Sequence, residues 1–556
     1  MTAKPGPFNP GQAIQQAVAL HQQGRLDEAS SLYTRVLKTQ RDNFDALHLL
    51  GMLNHQRGKA GEAYRLITAA LKAQPRSPDA LSNLALVLHA LKRSNEALAT
   101  LDKALALAPG HLDALNNRGN VLLEQQRPAD AVAAFDAVLA QAPRHVQALI
   151  NRGNARAALN EPSLALTDYD AALAAASGHP LALYNRGNAL RALGREQDAL
   201  AAYDGTLAAA PNHPGAWTNR GMALAALNRH GEAVASYDRA LALQPDNGDV
   251  HFNNALSLLT IGDYPRGLAE YEWRFKRAGI GPRKDLRRPL WLGETPLAGK
   301  TILLHAEQGL GDTIMFVRYA PLLARSAAKV VLEVQPELKS LLAGLDGIAA
   351  IVAHGEPLPP YDVHCPLTSL PFACKTELSN VAANIPYLHG SGEKLAKWQP
   401  RLAERLPHVA LAWSGRASHV NDRNRSLSLS QLEPLLAAED VRFVSVQREL
   451  RPADAELLAR EPRIIHVGGE LDDFTDTAAV LATVELLVCV DTSIAHLAGA
   501  LGRPAWVLLP FQPDWRWTLD RDRSPWYPAL KLFRQPKAGD WASVIARVRE
   551  ELALLD

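Results

Sequence analysis

The sequence predicts an α-solenoid of paired helices in its first half and two Rossmann-like α/β domains in its second half. Two observations carry this prediction. Small residues recur every 34 positions up to about residue 270, and short apolar runs alternate with amphipathic segments after residue 300. A fixed period of this length indicates stacked helical units, whereas the alternation is typical of strand–helix–strand crossovers in parallel sheets.

Composition places the 556-residue chain among ordinary globular proteins. Apolar residues make up 47%, and 59 Lys and Arg balance 58 Asp and Glu, which gives a net charge of +1. Such a balance excludes bulk nucleic-acid binding, because that function needs a basic surface. Three cysteines exclude a disulfide scaffold and favour a reducing compartment. Since neither a signal-peptide core nor a membrane-spanning apolar run is visible, we expect a cytoplasmic protein without a membrane span.

Ladders of small and aromatic residues define the repeat unit. Small positions let two helices approach closely, and an aromatic side chain sixteen residues later fills the space beside them. The spacing predicts a flexible N-terminus over 1–9, seven full units over 10–247 and an atypical eighth, so that the array covers 10–278. The small ladder comprises Ala17, Gly51, Ala85, Gly119, Gly153, Gly187, Gly221 and Ala255, and the large ladder Tyr33, Ile67, Leu101, Phe135, Tyr169, Tyr203, Tyr237 and Tyr271.

A further ladder, of asparagines, is not required for packing. Asparagine is a mediocre helix former, so registered copies on the first helix of each unit need another reason. One reason is binding, because the side-chain amide matches the backbone amide of an extended peptide. The alternative is that the asparagines bond between adjacent helices and set the repeat geometry. The ladder comprises Asn83, Asn117, Asn151, Asn185, Asn219 and Asn253.

These ladders, with prolines that close most units, resemble the tetratricopeptide repeat (TPR) family. The asparagine ladder is similar to that of the TPR arm of protein O-GlcNAc transferases, in which it holds extended substrate peptide. The resemblance implies a TPR superhelix whose concave face receives a protein acceptor. The arginines that adjoin the ladder are expected to be solvated or to pair between repeats.

Eight apolar runs in the second half predict buried parallel strands. They follow a Gly-, Pro- and Arg-rich linker, 279–300, in which Trp291 is expected to dock. A polar segment, 391–407, separates one Rossmann-like domain, 301–390, from a second, 408–556. The predicted strands are Thr301–His305, Val330–Val334, Ala349–Val352, Val409–Trp413, Arg442–Val446, Ile464–Val467, Leu486–Val490 and Ala505–Leu509.

Two motifs lie at carboxyl ends of these strands, where such sheets bind ligands. In HAEQGLGDTIMFVRY, Gly309 and Gly311 allow a tight turn and close backbone approach at a helix start. The complete GxGxxG and GxxxxGK[ST] patterns are absent, which disfavours a dinucleotide site and an ATPase site. In VDTSIAHLAGALGRP, a helix opens at Asp491, Thr492 and Ser493, and its free amides suit a diphosphate. A plain helix cap is the alternative role of Asp491.

Together the two motifs resemble the heptosyltransferase-like glycosyltransferases of GT-B fold, over roughly residues 300–535. A TPR array joined to such a fold also looks like protein O-GlcNAc transferases and the bacterial enzymes that modify flagellin, although the catalytic-domain motifs of the former are absent. The resemblance implies inverting sugar transfer from a nucleotide-sugar to flagellin or another protein bearing Ser or Thr, without a metal or other cofactor. It leaves open hexosyl, heptosyl and nonulosonyl transfer.

The resemblance also assigns roles to individual residues. Asp312 matches the proposed catalytic base, with a helix cap as its alternative role, and the helix N-terminus is expected to lower its pKa. Arg425 matches a phosphate clamp. Trp413 stacks on the base or lies in the core, and His496 is a ligand or a core histidine. The predicted donor-binding residues are Gly309, Gly311, Trp413, Ser414, Arg423, Arg425, Gln447, Glu449, Asp491, Thr492, Ser493 and His496.

Two other functions are compatible with the sequence. One is a TPR scaffold whose GT-B half does not catalyse, against which Asp312 and Arg425 argue. The other is a glycosyltransferase that acts on a glycan or lipid, and the asparagine ladder favours a protein acceptor over it.

Overall fold

Two compact units, Met1–Ala223 and Leu224–Asp556, make up the chain. The structure is a computed structural model, and the residues it describes are 8–277, 281, 283, 285–326, 328–381, 385–402, 406–419 and 421–554. Most of the predicted N-terminal tail, 1–9, and parts of the predicted linkers, 279–300 and 391–407, lie outside the described residues. The predicted domain limits stay predictions.

Sixteen α-helices, α1–α16, follow one another in pairs over residues 8–277 and confirm the predicted helical array. The last, α16, has eight residues and continues into a 3₁₀ turn, Glu272–Lys276, which gives the eighth unit its atypical end. The helices are α1 (Pro10–Gln22), α2 (Leu26–Thr39), α3 (Phe44–Gln56), α4 (Ala60–Ala73), α5 (Pro78–Ala90), α6 (Ser94–Leu107), α7 (Leu112–Glu124), α8 (Pro128–Gln141), α9 (Val146–Ala158), α10 (Pro162–Ala175), α11 (Pro180–Ala192), α12 (Glu196–Ala209), α13 (Pro214–Ala226), α14 (His230–Leu243), α15 (Gly248–Thr260) and α16 (Tyr264–Tyr271).

The small and aromatic ladders meet as predicted. A Cβ atom on Gly153 would lie 2.5 Å from Cε1 of Tyr169, and a Cβ atom on Gly187 would lie 2.5 Å from Cε1 of Tyr203. Both tyrosine rings are buried. At these positions only glycine leaves room for the ring against the neighbouring helix, which explains the period of 34 in physical terms.

The unit Leu224–Asp556 contains two sheets in which every described strand pairs in parallel. The strands are β1 (Thr301–His305), β2 (Lys329–Val334), β3 (Ile348–Ala353), β4 (Val363–Pro366), β5 (His408–Ala412), β6 (Arg442–Ser445), β7 (Ile464–His466), β8 (Leu486–Val490), β9 (Ala505–Leu509) and β10 (Leu530–Arg534). Their order is β3-β2-β1-β4 in the first sheet and β10-β9-β8-β5-β6-β7 in the second. Parallel sheets of this kind are those of an α/β glycosyltransferase fold.

Helices connect these strands. They are α17 (Leu310–Phe316), α18 (Ala320–Arg325), α19 (Pro336–Leu342), α20 (Leu370–Ala373), α21 (Gly392–Trp398), α22 (Asp422–Arg425), α23 (Pro452–Leu458), α24 (Phe474–Thr483), α25 (Ser493–Ala500) and α26 (Trp541–Leu552). In the polar segment 391–407, α21 buries Trp398, whose indole N–H donates to Asp476 at 2.8 Å. None of the described helices is long and apolar enough to cross a membrane.

Two strands, β4 and β10, escaped prediction. The short β4 contains a histidine and ends in proline, and Lys531 and Arg534 interrupt the apolar character of β10, which lies at a sheet edge. Trp291 docks onto β4 as expected, because its backbone N–H donates to the carbonyl of His364 at 2.8 Å. Its indole N–H donates to the carbonyl of Thr295 at 2.8 Å.

Candidate active site

Each sheet reverses its strand order once, and the sequence motifs lie at these reversals. In the first sheet the reversal is between β1 and β4, and in the second it is between β5 and β8. Ligands of open parallel sheets bind beyond the carboxyl ends of the strands at such points. The turn Gly309–Asp312 follows β1, Ser414 follows β5, and Asp491 follows β8.

The two motif turns contact each other, although they are about 180 residues apart in the sequence. A Cβ atom on Gly311 would lie 3.4 Å from Cα of Ser493 and 2.8 Å from Cδ2 of His496. The start of α17 therefore lies against the start of α25, and glycine is what permits this approach. Two helix N-termini, both favourable to an anion, thus meet at one place.

Asp312 is held in position from both sides. Its carboxylate accepts a hydrogen bond from the backbone N–H of Gly309 at 2.9 Å, which is the helix-cap role considered above. It also forms an ion pair with Arg516, which follows β9. Its side chain keeps 20% of its surface exposed, so the carboxylate remains accessible while its orientation is fixed.

Burial raises the pKa of Asp312, and the neighbouring Arg516 guanidinium only partly opposes this effect. The expectation that the helix N-terminus would lower this pKa was wrong, because desolvation outweighs the favourable dipole. Asp514 and Glu307 add repulsion that acts in the same direction as burial. A carboxylate with a raised pKa is a stronger base, which suits proton abstraction from a hydroxyl group.

Arg516 is a site residue that sequence reasoning missed. Its guanidinium donates to the carboxylates of both Asp312 and Asp514, the latter at 2.7 Å, and only 9% of its side chain is exposed. The ring of Trp515 lies 4.6 Å from its central carbon. A signal was present in the sequence, since PDWRW follows a predicted strand, but its partner Asp312 is 204 residues away.

Arg425 lies at the start of the second motif. Its Nη1 donates to the backbone carbonyl of Asp491 at 2.9 Å. Gly415 makes room for this side chain, because a Cβ atom there would lie 2.5 Å from Nη2 of Arg425. Burial and the charge of Asp514 raise the pKa of Asp491 to about 6, while Arg425 counters them.

Three polar side-chain atoms around these turns lack a hydrogen-bond partner within the described part of the chain. They are Nε of Arg425, Oγ1 of Thr492 and Nε of Arg516. Buried polar atoms are ordinarily bonded, so such a group is typical of a ligand site whose ligand supplies the missing partners. Two guanidinium donors, a hydroxyl group and the free amides of α25 fit a diphosphate.

The described residues contain no cluster of three or more His, Cys, Asp or Glu side chains arranged to hold a metal ion.

Several predicted donor-binding residues have other contacts. Trp413 is 1% exposed, and its indole N–H donates to Asp454 at 3.0 Å, so it is a core residue and offers no face for stacking. His496 is a core histidine as well, since it is buried, stacks on Trp517 and bonds Tyr527 Oη at 3.2 Å. Desolvation by burial lowers the pKa of His496 to about 3, which keeps the ring neutral.

Gln447 fixes the loop that follows β5. Its Oε1 accepts from the backbone N–H groups of Trp413 and Ser414, both at 3.1 Å, and its Nε2 donates to the Ser414 carbonyl at 3.0 Å. The side-chain amide is thus engaged by the protein, and its role is to shape the loop. Arg423 and Glu449 are exposed.

The asparagine ladder uses its donors between repeats. Asn185 donates to Oδ1 of Asn154 at 2.8 Å, and Asn219 donates to Oδ1 of Asn188 at 2.8 Å. Asn83, Asn117 and Asn151 likewise donate to side chains of the preceding repeat. Asn253, in α15, is half-buried. The structural alternative therefore accounts for the amide N–H groups of five ladder members.

The adjoining arginines also pair between repeats, as expected. Arg186 bonds Asp170 at 2.6 Å, and Arg220 bonds Asp204 at 2.7 Å. In each pair the aspartate lies sixteen residues earlier, in the second helix of the preceding repeat.

Comparison with known families matches both halves of the chain. Tetratricopeptide repeats match residues 76–144 and four overlapping stretches from 116 to 281. Residues 22–104 match the family of anaphase-promoting complex, cyclosome, subunit 3. Residues 436–508 match glycosyltransferase family 9, the heptosyltransferases. The chain thus combines TPR repeats with a stretch that is similar to glycosyltransferase family 9, and this match supports a glycosyltransferase domain.

One curated relative is Protein FlbA of Caulobacter vibrioides, which is 27% identical over 313 residues. The match covers 51% of this chain and 51% of that protein, so the chain spans about half the length of its relative.

Solved structures of TPR proteins resemble part of this chain. A tetratricopeptide repeat protein from Parabacteroides merdae is 18% identical, with a TM-score of 0.37 over 45% of this chain and 98% of its own. YrrB, a TPR protein with an unusual peptide-binding site, is 25% identical, with a TM-score of 0.29 over 32% of this chain and 93% of its own.

Proposed function

We propose that this chain is an inverting glycosyltransferase that moves a sugar from a nucleotide-sugar to a protein bound by its TPR repeats. The observation that carries the proposal is the contact between the turn Gly309–Asp312 and the start of α25 at Ser493. This contact brings Asp312, a carboxylate with a raised pKa that pairs with Arg516, to the helix N-terminus where Arg425 bonds the carbonyl of Asp491. A base and an anion cradle are the two parts that sugar transfer requires.

The chemistry assigned to these residues is a single displacement. Asp312 accepts the proton of an acceptor hydroxyl group, and the resulting oxygen nucleophile attacks the anomeric carbon of the donor sugar. The bond between that carbon and the diphosphate oxygen breaks, and the nucleoside diphosphate leaves with the electron pair. Arg425 and the amides of α25 stabilise the charge that develops on the leaving group.

A protein acceptor is supported by the repeat half. TPR repeats imply interaction with proteins, and a cavity of about 230 Å³ lies beside the asparagine ladder, where Asn154, Tyr169, Asn185 and Asn188 are among its lining residues. Because Asn185 gives one N–H donor and Asn219 gives two to bonds within the array, we expect the carbonyl oxygens of the ladder, which accept from backbone N–H groups, to contribute to peptide contact.

The proposal is tested with a calorimetric panel of UDP-, ADP-, GDP-, TDP- and CMP-sugars, followed by Asp312→Asn. We expect one nucleotide class to bind, and Asp312→Asn to keep that binding while lowering transfer at least about a hundredfold. Asp473→Asn is the matched control. Asp473 also caps a helix, α24, but it does not belong to the group formed by Asp312, Arg516, Arg425 and Asp491.

Failure of every nucleotide-sugar to bind would favour the scaffold alternative. Undiminished transfer by Asp312→Asn would instead keep a transferase and remove Asp312 as its base. Transfer to a glycan or lipid, with none to any protein, would favour the third alternative.

A further inference from the structure

The last TPR repeat contacts the residues that lead into the catalytic turn. Tyr271, the final residue of α16, accepts a hydrogen bond at its hydroxyl group from Nε2 of Gln308 at 2.7 Å. Gln308 directly precedes Gly309, whose backbone N–H donates to Asp312. The repeat is therefore connected to the proposed base, Asp312, through only two residues, Gln308 and Gly309.

Arg274 forms a second link from the same repeat. It lies in the 3₁₀ turn after α16 and is 4% exposed. Its Nε donates to Glu307 at 2.8 Å, and its Nη2 donates to Oγ of Ser369 at 2.6 Å. Arg274 also pairs with Glu272 at 2.8 Å, and such a buried network holds its members in place because loss of a partner is costly where no water replaces it.

The segment Phe511–Trp517, which carries Arg516, is held by the repeats as well. Asn228, in the loop before α14, donates to the carbonyl of Phe511 at 2.6 Å. Tyr264, the first residue of α16, accepts from the indole N–H of Trp526 at 2.9 Å, and Trp526 packs on Trp515. Residues of the repeats therefore contact both the segment that leads to Asp312 and the segment that carries Arg516.

We propose that the eighth repeat is part of the catalytic apparatus, with Tyr271 and Arg274 as positioning residues that hold the turn Gly309–Asp312. The proposal rests on the proposed function for its catalytic consequence. Positioning matters here because a displacement of about 1 Å between reacting groups costs up to about a hundredfold in rate. The repeat thus does more than recruit an acceptor, since it sets where the base stands.

The tyrosine ladder supplies a matched test. Tyr271→Phe removes one hydroxyl group and keeps the packed ring, and Tyr203→Phe removes the equivalent hydroxyl group, which donates to Asn188 at 2.8 Å in the other unit. We expect Tyr271→Phe to lower kcat about tenfold with the donor KM unchanged, and Tyr203→Phe to change neither. Gln308→Met should reproduce the loss, and the double variant should lose no more than either single variant.

A second measurement does not depend on turnover. Hydrogen exchange of the peptide that spans 305–316 should be faster in Tyr271→Phe than in the wild type or in Tyr203→Phe. Unchanged exchange and unchanged kcat in Tyr271→Phe would overturn the proposal. An equal fall of kcat in Tyr203→Phe would also overturn it, because the loss would then reflect general loosening. If the wild type turned over no nucleotide-sugar, the proposed function would fail, while exchange would still decide whether the repeat holds the turn.

Discussion

Asp491 and Asp514 are carboxylates that share a small volume with the guanidinium groups of Arg425 and Arg516. Burial, with a further contribution from the charge of Asp514, raises the pKa of Asp491, and the two arginines restrain that rise. Ionisation of Asp491 therefore lowers the free energy of unfolding. Such a perturbed carboxylate beside two arginines is what the proposed site for an anionic ligand leads us to expect.

This cost can be measured as a pH-dependent stability. The pKa of Asp491 is about 6 in the folded chain, against an ordinary value of 3.8. The unfolded chain therefore releases this proton first, so the stability contributed by this group is lost as pH rises from about 4 to about 6. We expect Asp491→Asn to raise the free energy of unfolding by about 3 kcal/mol at pH 7 and to have no such effect near pH 4.

Thermal unfolding between pH 4 and pH 8 checks the expectation. Asp520→Asn, at an exposed position, is the control. A difference from the wild type that did not shrink toward low pH would show that Asp491 carries no such cost.

For single residues, the sequence predicted candidate site residues that follow strands but did not predict those whose role depends on a contact between distant parts of the chain. Asp491 was singled out because a helix start marks the end of a strand, and Asp312 and Arg425 because they match positions of the heptosyltransferase-like family; their roles stay predictions. Arg516 was missed since its significance depends on an ion pair with a residue 204 positions away. Trp413 was ambiguous because an indole after a strand suits a ligand site and a core equally well.

At the level of helices, the asparagine ladder on the first helices of the repeats fixes how one repeat packs on the next. Asn185 in α11 donates to Asn154, and Asn219 in α13 donates to Asn188, so each bonds a second asparagine one repeat earlier. The same acceptors, Asn154 and Asn188, also receive the hydroxyl groups of Tyr169 and Tyr203. The bonds tie each helix to its neighbour and fix the step between repeats.

Removal of these bonds should lower stability. We expect Asn185→Ala and Asn219→Ala each to lower the free energy of unfolding by about 1 kcal/mol, because each leaves a half-buried acceptor with one partner fewer. Denaturant unfolding measures the change, and Asn212→Ala, in the exposed loop before α13, is the control. Loss of acceptor binding with full stability would restore peptide recognition as the ladder's main role.

The elements themselves were largely predictable because period and burial are local signals. The repeats were identified since each ladder position has one steric function, as the pairing of Gly153 with Tyr169 shows. The strands β4 and β10 were not, because each acquires its strand character from a neighbour: β4 pairs with β1, and β10 pairs with β9.

On the scale of the whole molecule, the two units differ in how their cores are organised. The repeats of Met1–Ala223 bury several small clusters, such as the one formed by Leu122, Ala131, Phe135 and Ala155. In Leu224–Asp556 two much larger clusters occur, one from Ala255 in α15 to Leu532 in β10 and the other from Val409 in β5 to Leu552 in α26. The first arrangement resembles a linear sum of neighbour contacts, and the second is a cooperative core.

Different cores should unfold separately. We expect calorimetry to show two transitions, with Leu122→Ala lowering one and Leu497→Ala lowering the other. Each substitution should cost about 2 to 5 kcal/mol. Both leucines are fully buried, so the two variants are matched in residue type and burial. One transition that both substitutions shifted equally would mean that the units unfold together.

The boundary between the units also determines where the protein could be recombined. Because the end of α13, all of α14 and the eighth repeat belong to the same compact unit as both sheets, a graft at the apparent end of the array, near residue 278, would remove Tyr271 and Arg274. A graft in the loop between α12 and α13 would keep them and would leave the seventh repeat whole. Evolution or a protein engineer could then substitute the first six repeats and would have to leave the last two in place.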